Sequence, residues 1–153
     1  MPIFGGISDE VLQYLLDNCP RKNLSKGEYF FHEKDEARAM YVLQHGHVRV
    51  EKHWRDRLII IRTLGEGDCF GEMALIDLYP RSATVVALDD CVALEIEPSL
   101  LATIHQQDHQ AFTIIYMNMA REISRRLRET DRRFFESSMT YETGEHDSSA
   151  QFV

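Results

Sequence analysis

The decisive stretch of this sequence is Phe70 to Val85, which reads FGEMALIDLYPRSATV. Gly71 permits a close approach of the main chain, because it has no side chain. Residues 72–76 are good formers of a single helical turn, and the free N–H groups at the start of such a turn can point at an anion. The first half of the stretch therefore predicts a short helical turn that interrupts a region rich in strands.

An acid and a cation flank this turn. Glu72 begins it, and nine residues later Arg81 carries a planar guanidinium that follows the fixed turn of Pro80. Charge-assisted hydrogen bonds from such groups contribute about 1.5–3 kcal/mol each when they are shielded from water. The residues alone predict an anion pocket that also contains an acceptor for hydroxyl groups. They leave open the alternative of a structural ion pair between Glu72 and Arg81.

Short apolar runs on both sides of the stretch predict β-strands. In Val48–Glu51 and Leu94–Glu97 the apolar side chains fall two residues apart, so that one face meets a core and the other meets water. Short strands at close, regular spacing predict a sandwich or a barrel-like roll rather than a parallel sheet. The predicted runs are Tyr29–His32, Met40–Gln44, Val48–Lys52, Arg57–Leu64, Ala83–Leu88 and Cys91–Ile96.

Helices are predicted at both ends of the β-rich region. Ser8 is an N-cap candidate ahead of apolar residues at helical spacing, which indicates a short first helix. Pro98 suits the first turn of a later helix, and no Gly or Pro occurs from Ser99 to Glu136, which predicts one long helix. Residues 137–153 are polar and acidic and predict a flexible tail. The folded domain is therefore expected to occupy residues 1–136.

Composition and charge exclude several classes of protein. The 153 residues are 44% hydrophobic and 27% charged, which excludes collagen-like and disordered chains. A net charge of −8 gives no general attraction to nucleic acid or anionic lipid, and the longest aliphatic run, Leu58–Ile61, is far too short to span a membrane. Three widely spaced cysteines without a Cys-x-x-Cys pair suit a reducing compartment. The chain is therefore expected to be cytoplasmic, without a membrane partner.

The decisive stretch resembles the phosphate-binding cassette of the cyclic nucleotide-binding domain family, found in bacterial catabolite activators, cyclic-nucleotide-dependent kinases and gated channels. The resemblance lies in Gly-Glu-x-Ala-Leu from Gly71 and Pro-Arg-Ser-Ala-Thr from Pro80, and it extends over about residues 3–136. It implies a mainly β fold, an eight-stranded β-roll or double-stranded jelly roll. A short N-terminal helix, a helix within the cassette and a long C-terminal helix would flank the roll.

The resemblance also implies the ligand and its contacts. The ligand would be a cyclic nucleotide, with cAMP preferred and cGMP as the alternative. Glu72 would accept a hydrogen bond from the ribose 2′-hydroxyl with help from the Gly71 main chain, and Arg81 would hold the cyclic phosphate. Ser82 and Ala83 would add main-chain N–H donors, and the Ser82 hydroxyl one more.

Four further residues complete the predicted site around the cassette. Met73 and Ala74 belong to the cassette helix itself. Val50 and Ile61 are the best matches for the apolar floor under the base, although a core position is an equally good interpretation of both.

The late helix extends the resemblance. Residues 124–130 read SRRLRET, similar to the end of the long helix of catabolite activators, where an Arg pairs with the cassette Glu and a Thr meets the purine amino group. Arg126 and Thr130 would take these parts, and their i, i+4 spacing places both on one face of a helix. The alternative is a solvated Arg126 and a Thr130 that fills a gap in the apolar stripe.

Two departures from the family affect the prediction. Lys34 stands where the family often has glycine, in a turn outside the cassette. Catabolite activators also continue into a helix-turn-helix domain, whereas a polar, acidic segment of 23 residues follows Thr130 here. We therefore expect no DNA contact, and expect the signal to pass to an effector protein or through a homodimer.

Two other classes of function are alternatives. The same roll could be a nucleotide-independent protein-interaction module. A cupin-like, metal-dependent enzyme would use His45, His47 and Glu51, but a glycine at a predicted turn separates the histidines and the surrounding cupin glycines are absent. The expectation is a regulatory protein with no metal and no catalytic group.

Overall fold

Eight antiparallel strands in two four-stranded sheets form the centre of the computed structural model, which describes residues 1–147. One sheet has the strand order β1-β8-β3-β6 and the other has the order β2-β7-β4-β5. The strands are β1 (Arg21–Leu24), β2 (Tyr29–Phe31), β3 (Met40–His45), β4 (Val48–Trp54), β5 (Arg57–Leu64), β6 (Cys69–Phe70), β7 (Thr84–Ala87) and β8 (Cys91–Ile96). The predicted β-roll is confirmed, and β1 and β6 are the strands that the sequence pattern did not place.

The core cluster contains residues from both sheets, and three strands (β3, β7 and β8) each contribute two residues spaced two positions apart. Tyr41 and Leu43 of β3 are buried in this way, as are Val85 and Ala87 of β7. The buried members of the cluster are Phe30, Ala39, Tyr41, Leu43, Val48, Leu64, Phe70, Val85, Ala87, Cys91 and Ala93. The predicted alternation holds in β8, where Leu94 and Ile96 are buried and Glu95 is half-buried. It is wrong for Glu51 of β4, which was expected to face water but is only 2% exposed and accepts a hydrogen bond from Arg49 Nε at 2.8 Å.

Four α-helices accompany the roll: α1 (Asp9–Asn18), α2 (Met73–Asp77), α3 (Pro98–Gln107) and α4 (His109–Asp147). Ser8 caps α1 as predicted, since its Oγ accepts a hydrogen bond from Val11 N at 3.3 Å. A 3-10 turn at Pro2–Phe4 precedes α1, and the amide of Asn118 on α4 donates to its Ile3 carbonyl at 3.0 Å. The predicted helical turn within the decisive stretch is α2.

The long helix predicted from Ser99 is divided in two at Asp108. This residue is extended (φ −148°, ψ 93°), and its Oδ1 accepts a hydrogen bond from Ala111 N at 2.9 Å. An aspartate that satisfies a free N–H in the first turn is a typical N-cap. The absence of Gly and Pro did not guarantee continuity, because an N-cap starts a new helix without either residue.

Helix α4 is also longer than predicted, and it continues past Glu136 to Asp147. The chain divides into two compact units, Met1–Asn118 and Met119–Val153. The roll, α1, α2, α3 and the first turns of α4 belong to the first unit. Of the predicted tail, residues 148–153 lie outside the described residues. Within residues 1–147, no helix combines the length and apolar character that crossing a membrane requires.

Replacement of the Asp108 cap should destabilise the protein. We expect Asp108→Ala to lower the free energy of unfolding by about 0.5–2 kcal/mol, because Ala111 N loses its acceptor. Asp108→Asn is the matched control, since its amide oxygen can still accept, and it should retain most of the stability. Urea denaturation measures both variants, and equal losses would contradict the capping role.

Candidate functional site

The cassette, residues 70–84, connects one sheet of the roll to the other. It leaves β6, where Phe70 pairs with Tyr41 of β3, and enters β7, where Val85 pairs with Phe31 of β2. The 31–39 segment joins β2 to β3 and therefore connects the same two sheets. Because both ends of the cassette are paired with the ends of the 31–39 segment, the two connections lie side by side.

Hydrogen bonds join the cassette to the 31–39 segment at Arg81 and at Thr84. Lys34 N donates to Arg81 O at 2.8 Å, and Arg81 N donates to Asp35 O at 2.9 Å. Glu33 N donates to Thr84 Oγ1 at 2.9 Å. The turn that contains Lys34 is outside the cassette in the sequence, but in space it holds the residue predicted to bind the phosphate.

The guanidinium of Arg81 is buried, with only 6% of the residue exposed. Its Nη2 donates to the Ala39 carbonyl at 2.6 Å and its Nη1 to the Gly71 carbonyl at 3.2 Å. Its Cζ lies 4.0 Å from the centre of the Phe31 ring. Within residues 1–147, carbonyls rather than carboxylates accept these hydrogen bonds, so a structural ion pair with Glu72 is not what holds Arg81.

One donor of this cation has no acceptor in the part of the chain that the structure describes. The Nε atom of Arg81 is buried and makes no hydrogen bond. A buried, unsatisfied donor costs about 1–3 kcal/mol, and more when it is charged. Burial lowers the pKa of the Arg81 guanidinium, and the nearby Tyr41, Asp35 and Glu72 oppose that shift. An anion that reached Nε would satisfy the donor and offset the cost of burying the charge.

Gly71 makes the close approach of Arg81 possible. Its φ of +73° is in the left-handed region, and a Cβ at this position would lie 2.5 Å from Nη1 of Arg81. Any other residue would therefore be strained in the main chain and would displace the guanidinium. This explains in physical terms why the cassette needs a glycine at position 71.

Glu72 is brought into the same cassette as Arg81. It is only 5% exposed and immediately precedes α2, where its carbonyl accepts a hydrogen bond from Leu75 N at 3.1 Å. Ala74 is also buried, whereas Met73 is 47% exposed. Glu72 and Arg81 are therefore both buried within the cassette, and Glu72 is near enough to oppose the lowering of the Arg81 pKa. Their joint use in one binding site stays a prediction.

The remaining predicted residues of the first unit lie at the cassette end or on the neighbouring strands. Ser82 is exposed and Ala83 is buried. Val50 on β4 pairs with Val85 directly after the cassette, and Ile61 is the extra residue of a β-bulge in β5 opposite Val50. Val50 and Ile61 are both half-buried. Their position beside the cassette is compatible with an apolar floor, which stays a prediction.

Arg126 and Thr130 lie on α4 in the second unit. The Nε of Arg126 donates to Glu122 at 2.7 Å, and the Thr130 hydroxyl donates to the Arg126 carbonyl at 2.9 Å. The two residues share one helix face, as their spacing requires. Their contacts with a nucleotide stay a prediction.

The two histidines of the metal alternative bond to different carboxylates. His45 Nδ1 lies 2.8 Å from Glu66, and His47 Nδ1 lies 2.8 Å from Asp89. Across the part of the chain that the structure describes, no three His, Cys, Asp or Glu side chains are grouped as metal ligands would be. The geometry therefore favours the cassette around Arg81 as the candidate site.

Sequence reasoning missed two of the groups around Arg81. Neither the Phe31 ring nor the Ala39 carbonyl carries a local signal, because each is more than forty residues away from Arg81 in the chain. The single clue was the departure from the family pattern at Lys34. Lys34 adopts a φ of +73°, so it takes the left-handed conformation for which glycine is better suited.

The comparison with protein families agrees with this geometry. The family model described as cyclic nucleotide-binding domain matches residues 21–108, which include the whole cassette and the 31–39 segment. The chain belongs to the cyclic nucleotide-binding domain family.

Relatives of this domain are regulators by name. The cyclic AMP receptor protein of Thermus thermophilus is 32% identical over 132 residues, which cover 85% of this chain and 59% of that protein. The cAMP-dependent protein kinase regulatory subunit of Yarrowia lipolytica is 30% identical over 95 residues, which cover 62% of this chain and 24% of that protein. The match therefore concerns the domain rather than the whole of either protein.

A solved structure has the same fold as the domain. The catabolite activator protein of Thermus thermophilus superposes with a TM-score of 0.78 at 29% identity, over 90% of this chain and 63% of that chain.

Substitution of Gly71 should lower the free energy of unfolding more than substitution of a glycine that also has a positive φ but has open space around it. Gly27 is such a control, since its φ is +88° and a Cβ there would meet no atom within 4 Å. We expect Gly27→Ala to lower the free energy of unfolding by about 1–2 kcal/mol through main-chain strain. Gly71→Ala should lose about 1–3 kcal/mol more, because it also overpacks the site. Urea denaturation of both variants measures the difference, and equal losses would contradict the packing of Arg81 against Gly71.

Proposed function

We propose that this domain is a sensor that binds cAMP in preference to cGMP and passes the binding signal through α4 to a partner. The observation that carries the proposal is the buried guanidinium of Arg81, whose Nε has no partner within residues 1–147, in the same cassette as the buried Glu72. A cyclic phosphodiester carries one negative charge and would satisfy Nε. The ribose 2′-hydroxyl next to it would donate to Glu72.

Further cassette groups would complete the contacts with the ligand. The main-chain N–H groups of Ser82 and Ala83 follow Arg81 directly and would donate to the phosphate oxygens. Val50 and Ile61 would support the base from the strands beside the cassette. The names of the relatives, a cyclic AMP receptor and a cAMP-dependent kinase regulatory subunit, support the assignment of the ligand class.

The preference for cAMP is inferred from the chemistry of Thr130. Its hydroxyl donates to the Arg126 carbonyl at 2.9 Å. A hydroxyl whose proton is engaged in this way can meet a further group only as an acceptor. The adenine amino group is a donor and matches it, whereas guanine presents an acceptor oxygen at the same ring position.

Transmission would depend on α4. In this proposal Arg126 contacts Glu72 and Thr130 contacts the base when the ligand is bound, and α4 is the element that has two arrangements. A ligand can shift such an equilibrium only by the difference in its affinity for the two arrangements. Contacts from α4 to the bound nucleotide would supply that difference.

The signal would reach either an effector protein or a second copy of the chain. Large apolar side chains are exposed on α4, among them Leu127, Phe134 and Phe135, and they suit a protein partner. The protein would be cytoplasmic, since Cys19, Cys69 and Cys91 are buried thiols of a kind that a reducing compartment preserves. In this proposal the protein acts as a regulator without catalysis and without DNA contact.

Isothermal titration with cAMP tests the ligand. We expect a Kd in the nanomolar to micromolar range, and an affinity about one-hundredth of that or less in Arg81→Ala, because a buried charge-assisted contact is lost. Arg38→Ala is the matched control, since Arg38 is exposed and pairs only with Glu36 at 2.8 Å. Thermal melting verifies that each variant is folded. No heat from wild-type protein with millimolar cAMP or cGMP would refute the proposal.

Titration of a threonine variant with both nucleotides tests the preference. Thr130→Ala should weaken cAMP binding about two- to tenfold, which is the usual effect of losing one neutral hydrogen bond, and should leave cGMP binding nearly unchanged. Thr113→Ala is the control, because the Thr113 hydroxyl makes the same bond within α4, to the His109 carbonyl at 2.8 Å. Equal effects on the two nucleotides would remove the preference and leave the phosphate subsite in place.

A further inference from the structure

The central carbon of the Arg81 guanidinium, Cζ, lies over the aromatic ring of Phe31. The distance from Cζ to the ring centre is 4.0 Å, well within the range in which a cation is attracted by a ring face. The Tyr41 ring is farther away, at 5.9 Å. Because Arg81 is buried, the attraction to Phe31 is weakened little by water.

The ring and the two carbonyls restrain the guanidinium in complementary directions. The carbonyls of Ala39 and Gly71 accept from the two Nη atoms and fix the cation within its own plane. With these two hydrogen bonds alone, the plane of the guanidinium could still tilt by rotating about the line that joins the two Nη atoms. A flat ring at 4.0 Å opposes this tilt, and the direction in which Nε–H points is set by the tilt.

We propose that Phe31 is a positioning residue of the phosphate subsite, and that its aromatic face aims the Arg81 guanidinium at the phosphodiester. This inference rests on the proposed function, because it assigns a part to Phe31 in the same subsite. Phe31 comes from β2, outside the cassette, and reaches Arg81 because β2 pairs with β7. In this proposal the affinity for the ligand depends on a residue outside the cassette.

The chain offers a matched control in the neighbouring ring. Phe30 is 5% exposed and packs edge-on against Phe70, with ring centres 4.9 Å apart. The cation–ring contacts of Arg81 are with Phe31 and Tyr41, not with Phe30. Phe30→Leu should therefore lower the melting temperature and leave the affinity for cAMP within about twofold of wild type, because a large-to-small core change acts on stability.

Calorimetric titration with cAMP tests the role of Phe31 in three variants of the full chain. Phe31→Leu should weaken binding about tenfold, since it removes the ring but keeps an apolar side chain. Phe31→Tyr should restore the affinity to within about twofold, because it keeps the aromatic face. Trifluorophenylalanine at position 31 keeps the shape of the aromatic ring but weakens the negative charge of its face. It should therefore weaken binding as much as Phe31→Leu does. This variant still tests the ring face if Phe31→Leu folds poorly.

A double-mutant cycle separates positioning from packing. In an Arg81→Lys background, Phe31→Leu should change the Kd by less than about twofold, since the planar group on which the ring acts is gone. The same tenfold loss in both backgrounds, or no loss in wild type, would overturn the inference while cAMP binding by the wild-type protein stands. Absence of cAMP binding by the wild-type protein would instead refute the proposed function.

Discussion

The binding site of this domain depends on the burial of one cation. Water is excluded from Arg81, so the protein must replace the lost hydration with carbonyl oxygens and an aromatic face. The replacement is incomplete among the described residues, because Nε has no acceptor. Buried polar groups in proteins are nearly always hydrogen-bonded, so an unsatisfied donor on a buried cation is an exception that an anion partner would explain.

The topology of the roll explains why these groups meet. β2 pairs with β7 and β3 pairs with β6, so the connection from β2 to β3 must lie against the connection from β6 to β7. One connection carries Phe31 and Ala39, and the other carries Gly71 and Arg81. The left-handed turn at Lys34 costs about 1–2 kcal/mol in a residue other than glycine. Main-chain bonds from Lys34 and to Asp35 help to offset this cost, and they fasten the two connections together.

The sequence predicted the elements whose pattern is strong and missed those whose pattern is short. Six strands were predicted from short apolar runs, whereas β1 (Arg21–Leu24) contains one apolar residue and β6 (Cys69–Phe70) is only two residues long. The break at Asp108 was missed because an N-cap needs only one polar side chain. The composition of residues 137–147 indicated a tail, whereas the structure continues α4 through them. Composition measures the polarity of a segment, and a polar segment can still be helical when it extends an existing helix.

The local chemistry of the cassette could be predicted from residues that are neighbours in the chain. The glycine, the acid and the arginine of the cassette are close in the chain, so their types and spacing were enough to predict an anion site next to a hydroxyl acceptor. Only the tertiary structure decided how Arg81 is held, because Phe31 and Ala39 reach it through the pairing of strands that are distant in sequence. Strand pairing is a property of the whole sheet, and no local pattern records which loop it will place against another.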